Sequence, residues 1–120
     1  MTAEIEYWID YQNKKTKGEQ KMLNEMIGKK VIVRGDRSGV FFGTLAKKEG
    51  NEVTLTACRR LWYWDGACSI SQLAVDGTKD PGNCKFTVTV DEIVILDAIE
   101  IIPCTAKAIG SIEGVKEWKK

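Results

Sequence analysis

Between Lys29 and Ala57 three β-patterned runs are joined by connections of hairpin length, and this spacing commits the segment to an antiparallel meander. Val31-Ile32-Val33-Arg34 is the first run, and Gly35-Asp36-Arg37-Ser38-Gly39 is a turn carrying two glycines. Val40 to Lys47 is the second, with Gly43 marking a bend or a close backbone approach. Glu49-Gly50-Asn51 turns tightly into Val53-Thr54-Leu55-Thr56-Ala57, whose alternation is that of a half-buried strand.

The alternation runs on to Trp64. On a regular strand Val53, Leu55, Ala57, Arg59, Leu61 and Tyr63 share one side, while Thr54, Thr56, Cys58, Arg60, Trp62 and Trp64 share the other. Arg59 and Arg60 then face opposite ways, and only Arg60 serves the Trp62/Trp64 side; a bulge would change the facing beyond Cys58. Asp65-Gly66-Ala67 ends the strand. Ser69-x-x-Gln72 is a capping-box pattern and Gly77 sits at a helix C′ position, predicting a helix over Ser69 to Asp76 with Ile70, Leu73 and Ala74 inward.

Asp80-Pro81-Gly82 is a turn, and Phe86, Val88 and Val90 alternate with Thr87 and Thr89 as a further strand. Ile93–Leu96 and Ala98–Ile102 read as two strands or one bent strand, ended by Pro103. Thr105 can cap a short helix over Ala106–Ile109, and Val115–Lys120 is expected to be extended. Ahead of the β region, Ile5, Trp8 and Ile9 fall at helical spacing, Gln12 to Gln20 reads as a linker or frayed end, and Met22, Leu23, Met26 and Ile27 form a second helical stripe stopped by Gly28. The expected class is mainly β (α+β): a small SH3-like bent barrel or sandwich of five to six short strands, with one inserted short helix and an N-terminal helical extension. Residues 1–27 form the extension and residues 28–120 a single β-rich domain.

At 120 residues the chain supports one core. Its net charge of +1 argues against bulk nucleic-acid binding, which draws its affinity from a basic excess, but leaves room for a local arginine site. No signal peptide and no membrane partner are expected, since the N-terminus lacks an apolar run with a cleavage site and no apolar stretch reaches a membrane span. Cys58, Cys68, Cys84 and Cys104 include no Cys-x-x-Cys pair and the chain has no histidine, so no metal site and no cofactor are expected, and the cysteines read as reduced, mostly buried thiols of a cytoplasmic protein.

Chemistry concentrates between Arg59 and Gln72. Guanidinium forks grip phosphate or carboxylate oxygens, and indoles stack on planar rings or cations. Arg59, Arg60, Trp62 and Trp64 make a candidate stacking and anion-binding surface, to which Ser69, Ser71 and Gln72 can add hydroxyl and amide groups and the helix N-terminus its free N–H groups. The competing reading packs the tryptophans in the core or a dimer interface and pairs the arginines with acids. Gly35–Gly39 could close over a ligand, or be a plain turn. Asp65, Asp76, Asp91 and Glu92 are the available general bases, and Cys58 and Cys68 have no histidine to activate them, so no catalytic residue is assigned and no enzyme is expected.

The run Ala57-Cys58-Arg59-Arg60-Leu61-Trp62-Tyr63-Trp64-Asp65-Gly66-Ala67 resembles a family of small proteins encoded by bacteriophages and prophages. The likeness continues through Ser69-Ile70-Ser71-Gln72-Leu73-Ala74, Gly77, Asn83-Cys84-Lys85-Phe86 and Glu100-Ile101-Ile102-Pro103-Cys104-Thr105, covering roughly residues 27–118. The resemblance implies phage origin, expression in the host cytoplasm and action by binding. One class of such proteins sequesters cyclic nucleotide or cyclic ADP-ribose-like immune signals, which suggests a homo-oligomeric sponge countering host defence. Two alternatives stand beside it: a protein-interaction module that inhibits a host enzyme, because Trp and Arg are common interface hot spots, and a single-stranded nucleic-acid binder.

Overall fold

The β-patterned runs fold into a six-stranded antiparallel sheet. Its strands are β1 (Lys30–Gly35), β2 (Val40–Glu49), β3 (Glu52–Tyr63), β4 (Lys85–Phe86), β5 (Val90–Ile95) and β6 (Ala98–Pro103). The computed structural model describes residues 23–120 together with residues 9, 17, 18, 20 and 21. Helix α1 (Ile70–Asp76) is inserted between β3 and β4, and α2 (Ala106–Gly114) follows β6. The strand order is β4-β3-β2-β1-β6, with β5 also on β3, giving the small bent barrel expected.

The bend has a local cause. Phe42 pairs with Arg59 and Thr44 with Thr56, so Ala57 and Cys58 together face Gly43 across a bulge. Ala57 sits there with φ of 47°, in the left-handed region. Gly43 is needed because a Cβ would lie 3.0 Å from the Thr56 carbonyl oxygen and 3.1 Å from Cys58 Cα.

That bulge also explains a difference from expectation. Phe86 to Val90 is not one strand: β4 ends at Phe86 and β5 begins at Val90. Together they track β3 backwards, Tyr63 opposite Lys85, Leu61 opposite Phe86, Cys58 opposite Val90 and Val53 opposite Ile95, and the ladder breaks beside the bulge. Pro103 is the last residue of β6 rather than a stop before it; it pairs with Val31 on an edge strand, where a missing N–H is tolerated.

The sheet divides the core into two clusters. On one side Val31, Val33, Phe41, Leu45, Val53, Leu55, Cys58, Ile95 and Ala98 fill the barrel, and Leu23 and Met26 pack against them. On the other, Ile32, Phe42, Leu61 and Phe86 meet Leu73 and Ala74 of α1, and Ala108 and Ile112 of α2. This two-sided burial is why Val31-Ile32-Val33 reads as a continuous apolar run. Thr105 caps α2 by accepting from the Ala108 N–H, and the helix runs past the expected end at Ile109 because burial of Ile112 rewards another turn.

Lys17, Gly18 and Gln20, expected within a linker, are helical, and Gln20 Nε2 donates to Asn24 Oδ1 at 2.8 Å. Of the expected helix through Ile5, Trp8 and Ile9, the first two lie outside the described residues.

Candidate functional site

Beyond the bulge, β3 points Arg59 and Leu61 into the helix-covered core and Arg60 and Trp62 away from it. Arg59 is 5% exposed. Its guanidinium donates to main-chain carbonyls only: Nε to Thr87 at 3.1 Å, Nη2 to Phe86 at 3.1 Å, and Nη1 to Ile112 at 3.0 Å and Val115 at 2.9 Å. The last two acceptors belong to the C-terminal end of α2, where carbonyl dipoles favour a cation. Burial pulls the Arg59 pKa below its ordinary value, and the nearby Glu117 carboxylate pushes it back. The group expected to grip a ligand's phosphate thus grips the protein's own backbone.

Arg60 is half-buried. Its guanidinium lies 4.5 Å from the centre of the Phe41 ring and donates through Nη1 to the Ser38 carbonyl. The Gly35–Gly39 loop beneath it is pinned: Asp97 accepts from the N–H groups of Arg37 and Ser38 and from the Ser38 hydroxyl. Those bonds, the Ser38 hydroxyl first, hold the Asp97 carboxyl below the usual carboxylate range.

The exposed aromatics lie at the far end of β3. Trp62 is 62% exposed and its indole is parallel, within 5°, to that of Trp118, with centroids 6.4 Å apart. Trp118 is itself 47% exposed, and Tyr63 is exposed beside them. Lys85, the cross-strand partner of Tyr63, carries its ammonium 5.6 Å from the Trp118 ring and 6.0 Å from the Tyr63 ring. The result is an open face of two parallel indoles and a phenol, with a cation among them.

The remaining expected residues do not join this face as ligand groups. Trp64 packs, half-buried, against the helix-covered core. Ser69 Oγ accepts from the Gln72 N–H at 3.1 Å and Gln72 Oε1 accepts from the Cys68 N–H at 2.8 Å, so both side chains serve the α1 cap. Ser71 is exposed on α1. Sequence reasoning missed Trp118 and Lys85 as site residues. The available signal was a tryptophan set among Lys116, Lys119 and Lys120, a place where burial is not expected.

A family model described as a domain of unknown function, DUF6948, matches residues 28–112. The chain belongs to this family. The DUF6948 match contains Arg59, Arg60, Trp62, Tyr63 and Lys85, and Trp118 lies beyond its end. No curated protein matches the chain. Among solved structures, a heptameric archaeal Sm protein is 18% identical, with 71% of this chain and 98% of that one covered at a TM-score of 0.45. The P. aerophilum SmAP1 heptamer is likewise 18% identical, with 72% and 93% covered at a TM-score of 0.46.

Elsewhere on the DUF6948 chain, an open groove of about 730 Å³ lies between Leu23 and Met26 on one side and Ala98, Ile99 and Ile101 on the other, away from the indoles. Among the described residues no His/Cys/Asp/Glu group is arranged to hold a metal, and no helix is long and apolar enough to cross a membrane. All four thiols are free. Burial pushes Cys58 up to about 12 and Cys104 up to about 11, whereas Cys68 is exposed.

Proposed function

We propose that this DUF6948 protein acts by binding, without turnover, and that the Trp62–Trp118 face takes a nucleotide-type ligand. A base stacks on an indole and Lys85 supplies the charge for a phosphate. The observation that carries this reading is the pair of parallel, solvent-exposed indoles with an ammonium beside them. Exposed tryptophan surface is costly to keep in water, and stacking a base on it is worth about 1–3 kcal/mol. Because Arg59, Ser69 and Gln72 are committed internally, recognition falls to Trp62, Trp118, Tyr63 and Lys85, with Arg60 at the margin.

The resemblance to phage-encoded proteins supports a finer version, in which the ligand is a cyclic nucleotide or cyclic ADP-ribose-like immune signal sequestered in the host cytoplasm. Tight sequestration needs an enclosed ligand, and one copy offers an open face, so this version includes a homo-oligomer. Among the described residues β5 pairs with β3 alone and β6 with β1 alone, which leaves a free strand edge on each for another copy.

Titration of the full chain with 3′,5′-cyclic AMP, cyclic di-AMP, ADP-ribose and a short oligonucleotide, followed by tryptophan fluorescence and native mass spectrometry, tests the proposal. Saturable quenching with release of intact ligand is expected, weakened about 5- to 150-fold by Trp62→Ala. Absence of quenching and adducts across the panel would refute it. The openness of the face would then favour the second reading, a protein-docking surface with Trp62 and Trp118 as hot spots.

A further inference from the structure

Trp118 stands on a tail that has no ladder of its own. Beyond α2 the chain is held by the buried Val115, by a bridge between Glu117 and Phe86, and by the Trp118 N–H, which donates to the Phe86 carbonyl at 2.8 Å. That carbonyl is also the one taken by Arg59 Nη2. The same guanidinium holds Thr87 on the β4 side and Ile112 and Val115 on the α2 side. One buried cation therefore fastens the point where the tail leaves α2 to the strand on which Trp118 lands.

We infer that Arg59 is the positioning residue of the stacking face: it docks the C-terminal tail over β4, and this docking sets Trp118 parallel to Trp62 and beside Lys85. The inference rests on the proposed binding role of that face, and it assigns the second indole wall to the tail and the latch to a residue that never meets the ligand. The geometry asks for arginine in particular. Four acceptors on two elements are reached by donors that diverge within one plane, and a lysine ammonium, whose donors radiate from a single atom, cannot span them. The Phe86 ring, with its centre 5.4 Å from the guanidinium carbon, adds a face on which the plane rests.

Three variants and one native-state measurement test this. In the ligand-free full chain carrying Arg59→Lys, amide exchange followed by NMR should show Trp118 exchanging at least tenfold faster, with the Val33 and Phe42 amides of the sheet unchanged. Affinity for cyclic di-AMP should fall by about 5- to 150-fold, the loss expected for one base–aromatic stack, and Trp118→Ala should match it. A chain ending at Lys116 keeps every acceptor of Arg59; it should melt within a few degrees of the full chain yet show the same loss of affinity.

Should Arg59→Lys fail to fold, exchange in the wild-type chain still decides: the Arg59 Nε–H and the Trp118 amide should become exchangeable together, below the denaturant concentration of global unfolding. Unchanged Trp118 exchange in Arg59→Lys, or a Trp118 amide that opens while Arg59 Nε–H stays protected, would overturn the inference. If cyclic di-AMP fails to bind the wild type, the nucleotide reading fails with that probe, and the exchange data judge the latch separately.

Discussion

Ala57→Gly is expected to stabilise this protein, against the usual effect of placing glycine in a strand. The residue occupies the bulge that lets two β3 residues face Gly43, and its φ of 47° is a conformation in which an L side chain crowds its own carbonyl. That crowding costs roughly 1–2 kcal/mol, and glycine removes it. Against this stands the larger entropy glycine gives the unfolded chain, roughly 0.5–1 kcal/mol. Ala57 is exposed, so deleting its methyl surrenders little packing. The balance is a gain of about 0.5–1 kcal/mol, and at the usual unfolding entropy per residue a domain of this size should melt about 2–5 °C higher. Ala57→Val carries the opposite sign, because a β-branched side chain is a true outlier at positive φ, and should lose at least 1 kcal/mol. Scanning calorimetry and urea titration of the three chains, checked for equal m-values, measure both. A lower Tm for Ala57→Gly, or an unchanged one for Ala57→Val, would mean that β3 runs through without the left-handed residue. The assignment of Arg59 to the interior and Trp62 to the surface would then lose its cause.

Thiol chemistry should divide the cysteines. At pH 8 an alkylating reagent should modify the exposed Cys68 promptly and leave Cys58 and Cys104 unreacted until the protein unfolds, since burial holds them at about 12 and about 11; peptide mapping that finds Cys58 labelled as fast as Cys68 would contradict the barrel packing. Asp97 should make the β1–β2 loop acid-sensitive. Its pKa is lowered in the fold, so its contribution is complete above the unfolded value near 3.8 and is lost as pH falls below it. The Tm difference between wild type and Asp97→Asn should accordingly be constant from pH 5 to 7 and shrink as acidification protonates the carboxylate; a difference that grows on acidification would refute the assignment.

The fold was legible where local pattern and tertiary burial agree. The hairpin-spaced runs from Val31 to Ala57 became β1, β2 and the first half of β3, and Ser69 caps α1 as expected, while Gln72 reaches back one residue further, to the Cys68 N–H. The Trp-rich segment was recognisable as chemically unusual, and the opposite facing of Arg59 and Arg60 followed from strand period alone. What each residue does was not legible, because it depends on contacts far apart in sequence. Arg59 carries a charge that in a local reading belongs with a ligand, yet its acceptors are carbonyls 27 to 56 positions away. No composition or periodicity announces a carbonyl, since every residue has one. Trp118 is only half legible for the same reason: its lysine-rich surroundings mark it as exposed, but its neighbour in space, Trp62, is set by contacts of the tail with Phe86. The two omissions are one event in the fold, because the arginine that withdraws from the surface places the tryptophan that appears on it. A strand motif written as Arg-Arg-Leu-Trp therefore encodes both a surface indole and the internal clamp for its partner, and the bulge at Ala57 decides which arginine takes which part.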